Sequence, residues 1–313
     1  MSKFKGIITP IITPFAKEDI PSRAIKKDEI YDRGVVNQIS YLYDNSIKNI
    51  FICGSYGAFP LLSVEERMEV AEYAIDQAIQ LDMKSIVQIG DPSTKIAIEL
   101  GKHAESIGAD AVSAVVPYYY SSTFYGKREF FQYFEDIISN VNLDVHCYNN
   151  PGTTGVYITP DILSTLIDLG LMGIKDGSTT IDQMLSMREM IMSKRSDFDY
   201  YPSSTSCLLD AFVVGAEACI SGISLTVPTL VNAVYNDAIR GRFDLAEEHW
   251  KTVMQVRDIL GKWRGRPVSA YAALNALGID VGTCRRPWIP LSQPEIEDLK
   301  KEINEVVHEG LCW

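Results

Sequence analysis

GIKDGST, residues 173–179, ends an apolar run on a lysine. Leu171, Met172 and Ile174 mark a short buried strand, and Lys175 stands at its tip. A lysine there has two explanations. Its stem can lie along apolar surface while the ammonium reaches water, which is the more economical reading of the residue taken alone. Alternatively the amine is held out of water so that it is neutral and nucleophilic near pH 7. The choice depends on what kind of sheet the strand belongs to.

The strand is the sixth of eight. Apolar, β-rich stretches occur at 6–12, 49–53, 85–89, 111–116, 143–148, 172–175, 199–201 and 218–220, with helical patterns between them. SVEERMEVAEYAIDQAI (63–79) opens with Ser63 three residues before Glu66, the spacing of a capping box. TPDILSTLIDLG (159–170) offers Thr159 as N-cap, Pro160 at the first helical position and Gly170 as a stop. TKIAIELGKHAESIGAD (94–110) carries apolar residues at helical spacing and ends at Gly108. Eight strand–helix repeats predict an α/β fold, a (β/α)8 TIM barrel whose active site lies where the strands end. The competing open, doubly wound sheet lacks its usual mark, since no GxGxxG follows the first strand. Strand signals stop near residue 230, and segments 232–240, 244–263, 267–277 and 293–309 read as helices. No Pro/Gly/Ser linker precedes them, so a barrel over 1–230 and a helical C-terminal extension over 231–313 packed on it are expected.

Composition narrows the function. The chain has 313 residues, 46% hydrophobic and 22% charged, which is the make-up of a soluble globular protein. A formal charge of −12 argues against nucleic acid or an anionic membrane as partner. No apolar run is long enough to span a bilayer. The start, MSKFKGIITPIITPF, has prolines at 10 and 14 and no small-residue cleavage site, so it reads as a first strand and not a signal peptide. Cysteines 53, 147, 207, 219, 284 and 312 are scattered without a CxxC pair, as expected of reduced thiols in the cytoplasm. Cys147 beside His146 falls short of a metal site.

Functional groups then collect at the strand ends. Strand two runs into CGSYGAFP, where Gly54 and Gly57 permit a sharp turn and an anion-binding nest of N–H groups, assisted by Ser55 and Tyr56. An ordinary strand-to-helix turn would look the same. Strand four ends in VVPYYYSS, three tyrosines that alone suggest an amphipathic lip. Strand five ends at Tyr148 in HCYNNPG. The separation 175 − 148 = 27 is one helix plus two turns, so Tyr148 and Lys175 should end adjacent strands. Neighbouring strands lie about 4.8 Å apart. A phenol beside a lysine, facing an anion nest, is what Schiff-base chemistry requires.

These motifs resemble the dihydrodipicolinate synthase/N-acetylneuraminate lyase family of pyruvate-dependent class I aldolases. TPIITPF (9–15), GSYG (54–57), LLSVEERMEV (61–70), PYYY (117–120), YNNPGTTG (148–155) and GIKDGS (173–178) match its motifs in order, and GAEACISG (215–222) and RRPWIPL (285–291) extend the likeness. The resemblance implies that Lys175 forms the imine, Tyr148 is the general acid/base, and Ser55 binds the carboxylate and relays a proton. It further implies that Gly54 and Tyr56 belong to the carboxylate loop, that main chain at Ile220 lines the site, and that Tyr119 reaches into a neighbouring subunit. A homo-oligomer, dimer or tetramer, follows. No cofactor or metal is implied; the partners are pyruvate and an aldehyde.

The departures concern the aldehyde half. Tyr56 and Ala58 replace a small hydroxyl and an acid. Thr153 stands where the synthases grip the aldehyde's carboxylate with arginine. Ser203–Ser204–Thr205 replace a G-x-D segment, and Leu225 an asparagine. The expectation is a Schiff-base lyase, with 2-keto-3-deoxy sugar acids first and N-acetylneuraminate next. Dihydrodipicolinate synthase, a hydratase–aldolase and a non-catalytic keto-acid-binding barrel are the alternatives.

Overall fold

The computed structural model describes residues 3–120, 123, 125–177 and 180–307. Cys312 and the end of the last expected helix lie outside them. All eight expected strands form: β1 Gly6–Pro10, β2 Asn49–Ile52, β3 Lys84–Gln88, β4 Ala111–Val115, β5 Asp144–Asn149, β6 Gly173–Asp176, β7 Asp199–Pro202 and β8 Ala218–Ile220. They run parallel in the order β7-β6-β5-β4-β3-β2-β1-β8. At the β7–β8 seam the Cys219 thiol donates to the Pro202 carbonyl at 3.0 Å. Thr205 and Ser221 hydroxyls meet there at 3.5 Å. The fold is a nearly closed (β/α)8 barrel.

The helices start where local chemistry places them. Ser63 Oγ accepts from the Glu66 N–H at 3.2 Å and Glu66 accepts from the Ser63 N–H at 2.9 Å, so the expected capping box opens the helix Val64–Gln80. Thr159 caps Pro160–Asp168. Gly108 and Gly170 adopt φ of +90° and +104° just beyond their helices, a conformation that side chains disfavour. Two further capping boxes, Thr180/Gln183 and Ser292/Glu295, open the helices Ile181–Lys194 and Gln293–Val306.

The barrel floor is aromatic. Phe4, His146 and Tyr201 meet with ring centroids 5.7–6.3 Å apart. Burial lowers the His146 pKa to about 4 despite Asp199 3.6 Å away, so the imidazole is neutral at pH 7. Above this layer Phe51 and Tyr148 meet edge to face at 5.8 Å. Together these rings fill the ring of strands and keep water from its middle.

The helix after β8 is Pro228–Ile239, which begins earlier than the expected 232 because Pro228 suits the first turn. By strand–helix alternation it is the barrel's eighth helix, so the 231 boundary falls inside it. Helices Phe243–Lys262, Arg266–Ala276 and Gln293–Val306 follow without strands. They fasten to the barrel mouth. Tyr271 donates to the Thr13 carbonyl at 2.7 Å, Trp250 to the Thr205 carbonyl at 3.2 Å, and Arg285 grips Glu66 with two bonds of 2.6 and 2.7 Å. Among the described residues no helix is long and apolar enough to cross a membrane.

Replacing Ser63 with alanine removes one half of its capping box. The expected loss is about 1 kcal/mol of folding stability, measured as a lower urea midpoint with an unchanged slope.

Candidate active site

Lys175 sits at the inner end of β6, in register with Tyr148 on β5 and Tyr201 on β7. Strand alternation sends its side chain into the barrel, where it is 4% exposed. Its Nζ lies 3.9 Å from the ring centroids of both Phe51 and Tyr148. Burial alone brings the amine from an ordinary lysine's 10.5 down to about 7. The adjacent Asp176 faces the other way, accepting from Asn149 Nδ2 at 2.9 Å and from the Tyr200 hydroxyl at 3.4 Å. The sequence-based question is answered: the lysine is inside, and burial shifts it toward the uncharged amine near neutral pH.

The loop after β2 shapes the wall opposite. The turn is made at Cys53 and Ala58, which hold φ of +55° and +56°, and not at the glycines expected to do so. Gly54 and Gly57 are needed for clearance. A Cβ on Gly54 would lie 2.8 Å from the Phe51 ring and 3.9 Å from Lys175 Nζ, and one on Gly57 would lie 3.2 Å from the Cys53 backbone. Thr13 fixes the loop by donating to the Gly57 carbonyl at 2.6 Å.

This turn brings Ser55 Oγ to 3.2 Å from the Tyr148 hydroxyl. Asn150 Nδ2 donates to the Tyr148 hydroxyl at 3.2 Å and to Ser55 at 3.4 Å. Burial raises the Tyr148 pKa, while the bonds from Ser55 and Asn150 oppose the rise. The phenol is therefore protonated in the resting site, with a hydroxyl in place to take or return its proton.

Lys175, Tyr148, Ser55, Tyr56 and Ile220 line one cavity of about 320 Å³, while Gly54 lies behind it, close to the amine, without lining it. Ser203, Ser204 and Thr205 add hydroxyls. Tyr56 crosses the mouth from the β2 loop to the β8 loop, where any side chain at Gly222 would run into its ring. Its pKa rises to about 12 through burial. Two sequence-predicted residues are not gathered here. Thr153 lines a neighbouring, mainly apolar cavity with Phe59, Tyr118 and Trp288, which touches the first only through Ser55. Tyr119 is 76% exposed and packs on Tyr120 at 5.0 Å, outside this chain's pocket.

Sequence reasoning missed Phe51, Asn150, Arg257 and Arg266. Phe51 is one apolar residue in an apolar strand, and Asn150 carried a signal only as the second asparagine of YNNPG. The arginines come from the C-terminal helices and line the same cavity. The five described cysteines, 53, 147, 207, 219 and 284, are buried free thiols.

A model of the dihydrodipicolinate synthetase family matches residues 3–306. The 4-hydroxy-tetrahydrodipicolinate synthase of Clostridium tetani is 28% identical over 306 residues, spanning 97% of this chain and 98% of that one. The Protochlamydia amoebophila protein of the same name is 28% identical over 309 residues, spanning 98% of each. YagE, a prophage protein of E. coli K12 solved in complex with pyruvate, superposes with a TM-score of 0.86 at 25% identity over 99% of this chain and 100% of its own. A sialic acid aldolase of Ruminococcus gnavus reaches 0.87 at 22% identity over 97% of each chain, a likeness of fold.

The depressed Lys175 pKa sets a sign for stability. Between about pH 7 and 10.5 the unfolded chain binds a proton that the folded chain does not, so this residue's penalty is largest below pH 7 and fades as pH rises toward 10.5. Lys175→Met should therefore raise the unfolding free energy by up to about 5 kcal/mol near pH 6, and the advantage should shrink by pH 10. Denaturant titrations across that range check it; a gain that does not vary with pH would mean that the amine is solvated.

Proposed function

We propose that this chain, which belongs to the dihydrodipicolinate synthetase family of pyruvate-dependent class I aldolases, cleaves or forms a 2-keto-3-deoxy sugar acid, with pyruvate as one partner. The observation that carries the reading is Lys175, an amine buried at the end of a barrel strand and held 3.9 Å from the Tyr148 ring. The cavity's hydroxyls at Ser203, Ser204 and Thr205 suit a polyhydroxy chain, and N-acetylneuraminate is the next candidate of the same kind.

In the cleavage direction the neutral Lys175 amine attacks C2 of the keto acid, whose carboxylate lies on the Gly54–Ser55–Tyr56 loop. Loss of water from the adduct gives an iminium that withdraws electrons from C3. Tyr148 supplies the proton that leaves with that water, and the phenolate so formed, acting with Ser55, takes the proton of the C4 hydroxyl. The C3–C4 bond breaks, releasing the aldehyde and leaving an enamine. Protonation at C3 and addition of water then release pyruvate and restore the amine. Acid–base help of this sort is worth about 10²–10⁴-fold. Tyr119 is assigned to the neighbouring subunit's site, in a homo-oligomer, dimer or tetramer; its exposure in this chain supports that role. Free thiols accord with a cytoplasmic enzyme.

The second reading is 4-hydroxy-tetrahydrodipicolinate synthase, favoured by the name the curated relatives carry. Thr153 in place of an arginine, lining a different cavity, speaks against it. A panel of aldehydes offered with pyruvate separates the two.

Borohydride with pyruvate should leave a stable adduct on the wild-type chain, located at Lys175 by mass spectrometry and absent from Lys175→Ala. An unlabelled wild-type chain would remove the Schiff-base reading. Tyr148→Phe should keep the adduct but lose about 10²-fold or more in turnover; near-normal turnover in that variant takes Tyr148 out of its role.

A further inference from the structure

The cavity above Lys175 holds charge that imine chemistry does not use. Arg257, on the helix Phe243–Lys262, and Arg266, the first residue of the helix Arg266–Ala276, both line it, and no aspartate or glutamate does among the described residues. Arg257 Nε is buried without a hydrogen-bond partner. Its other end meets Asp258 at 3.3 Å, a carboxylate largely in solvent. The Arg266 side chain joins no ion pair or hydrogen bond among the described residues. The N-terminal end of its helix faces the same space and adds partial positive charge. In a chain of net charge −12, a pocket wall with two arginines and no acid is a local inversion of sign.

We propose that Arg257 and Arg266 bind a terminal acidic group, carboxylate or phosphate, on the aldehyde half of the substrate, at the end remote from the imine.

This deepens the aldolase reading and rests on it for the orientation of the substrate. The keto acid's own carboxylate is accounted for by the Gly54–Ser55–Tyr56 loop, so the arginines serve a second anion. Their placement fits the far end. They oppose the rise of the Tyr56 phenol's pKa, whereas the Lys175 amine responds to burial alone. Both arginines are carried by the C-terminal helices, whereas Lys175 stands on a barrel strand. Thr153, standing where the synthases grip the aldehyde's carboxylate with arginine, opens on the other cavity. The anion contact has moved across the mouth, from the loop after β5 to the C-terminal helices. Arginine suits the task because its planar fork presents paired donors to an oxyanion and stays charged at any working pH.

The test offers wild type, Arg257→Gln and Arg266→Gln three aldehydes with pyruvate: glyceraldehyde, succinate semialdehyde and glyceraldehyde 3-phosphate. Acid-bearing acceptors should exceed glyceraldehyde in kcat/KM by at least about tenfold, and each substitution should erase about tenfold or more of that preference, as loss of one charge-assisted bond implies. Preference for the carboxylate or for the phosphate identifies which acid is meant. A preference for glyceraldehyde, or one that survives both substitutions, overturns the proposal. Calorimetry with succinate, glycerol 3-phosphate and glycerol keeps the outcome separate from catalysis. If no aldehyde reacts but an anion binds and the variants release it, the aldolase reading fails and the anion site stands. If Lys175 still forms its pyruvate adduct and neither anion binds, the reverse holds.

Discussion

The constraint on which the site depends is the removal of one amine from water. A charged lysine inside a protein is costly, and the cost is relieved when the group gives up its proton. Lys175 does so because no carboxylate pairs with it inside the barrel, and the faces of Phe51 and Tyr148, 3.9 Å from Nζ, do not offset the loss of water. The nearest carboxylate in sequence, Asp176, is turned to the outer face of β6 by the alternation of the strand, where Asn149 and Tyr200 hold it. An aspartate on the inner face would pair with the ammonium and hold it protonated. The nearly closed ring of strands supplies an interior deep enough at its end for a lysine to be buried while remaining open to a small substrate. The barrel is therefore part of the chemistry. Phe51 supplies the shelf under the amine, and Gly54 is without a side chain so that Phe51 can occupy that position.

The C-terminal helices hold the mouth in shape. Tyr271 bonds to the Thr13 carbonyl, and Thr13 in turn bonds to the carbonyl of Gly57, so a helix remote in sequence fixes the loop that presents Ser55. Trp250 holds the carbonyl of Thr205 at the end of β7, and Arg285 fastens the helix that begins just beyond the β2 loop. These bonds reach three separate strand ends. The extension also contributes the two arginines of the cavity, so it braces the site and completes it.

Much of this was legible in the sequence because the signals are local. Each strand is an apolar run of few residues between capped helices, and the order of the runs is enough to predict the barrel. Tyr148 and Lys175 could be placed side by side because adjacent parallel strands turn a separation in sequence into one in space. What was not legible depends on long-range contact or on backbone detail. Phe51 looks like any core residue until its ring is seen under the amine. The turn after β2 was assigned to Gly54 and Gly57 on conformational freedom, yet Cys53 and Ala58 adopt the left-handed backbone while the glycines provide room. Arg257 and Arg266 follow Lys175 by two strands and several helices, and no local pattern ties them to it. Thr153 was assigned to the substrate by position in a motif, and the one-turn helix Pro151–Thr154 carries it into the next cavity.

The separation of amine and arginines also resolves a conflict in charge. In the proposed reaction a keto acid bearing a second acid group would bring that group in before the imine forms, while Lys175 must still be neutral. Taking a separation of about 8 Å for illustration and an effective dielectric constant near 20, an unpaired anion would favour the ammonium by about 2 kcal/mol, or roughly 1.5 pKa units. Such a shift would leave only a few per cent of the amine reactive at pH 7. An anion paired with guanidinium groups presents little net field to the lysine. Binding the substrate's far end and keeping the nucleophile deprotonated are in this way one requirement, met by putting fixed positive charge on the wall of the cavity and leaving the amine among aromatic rings.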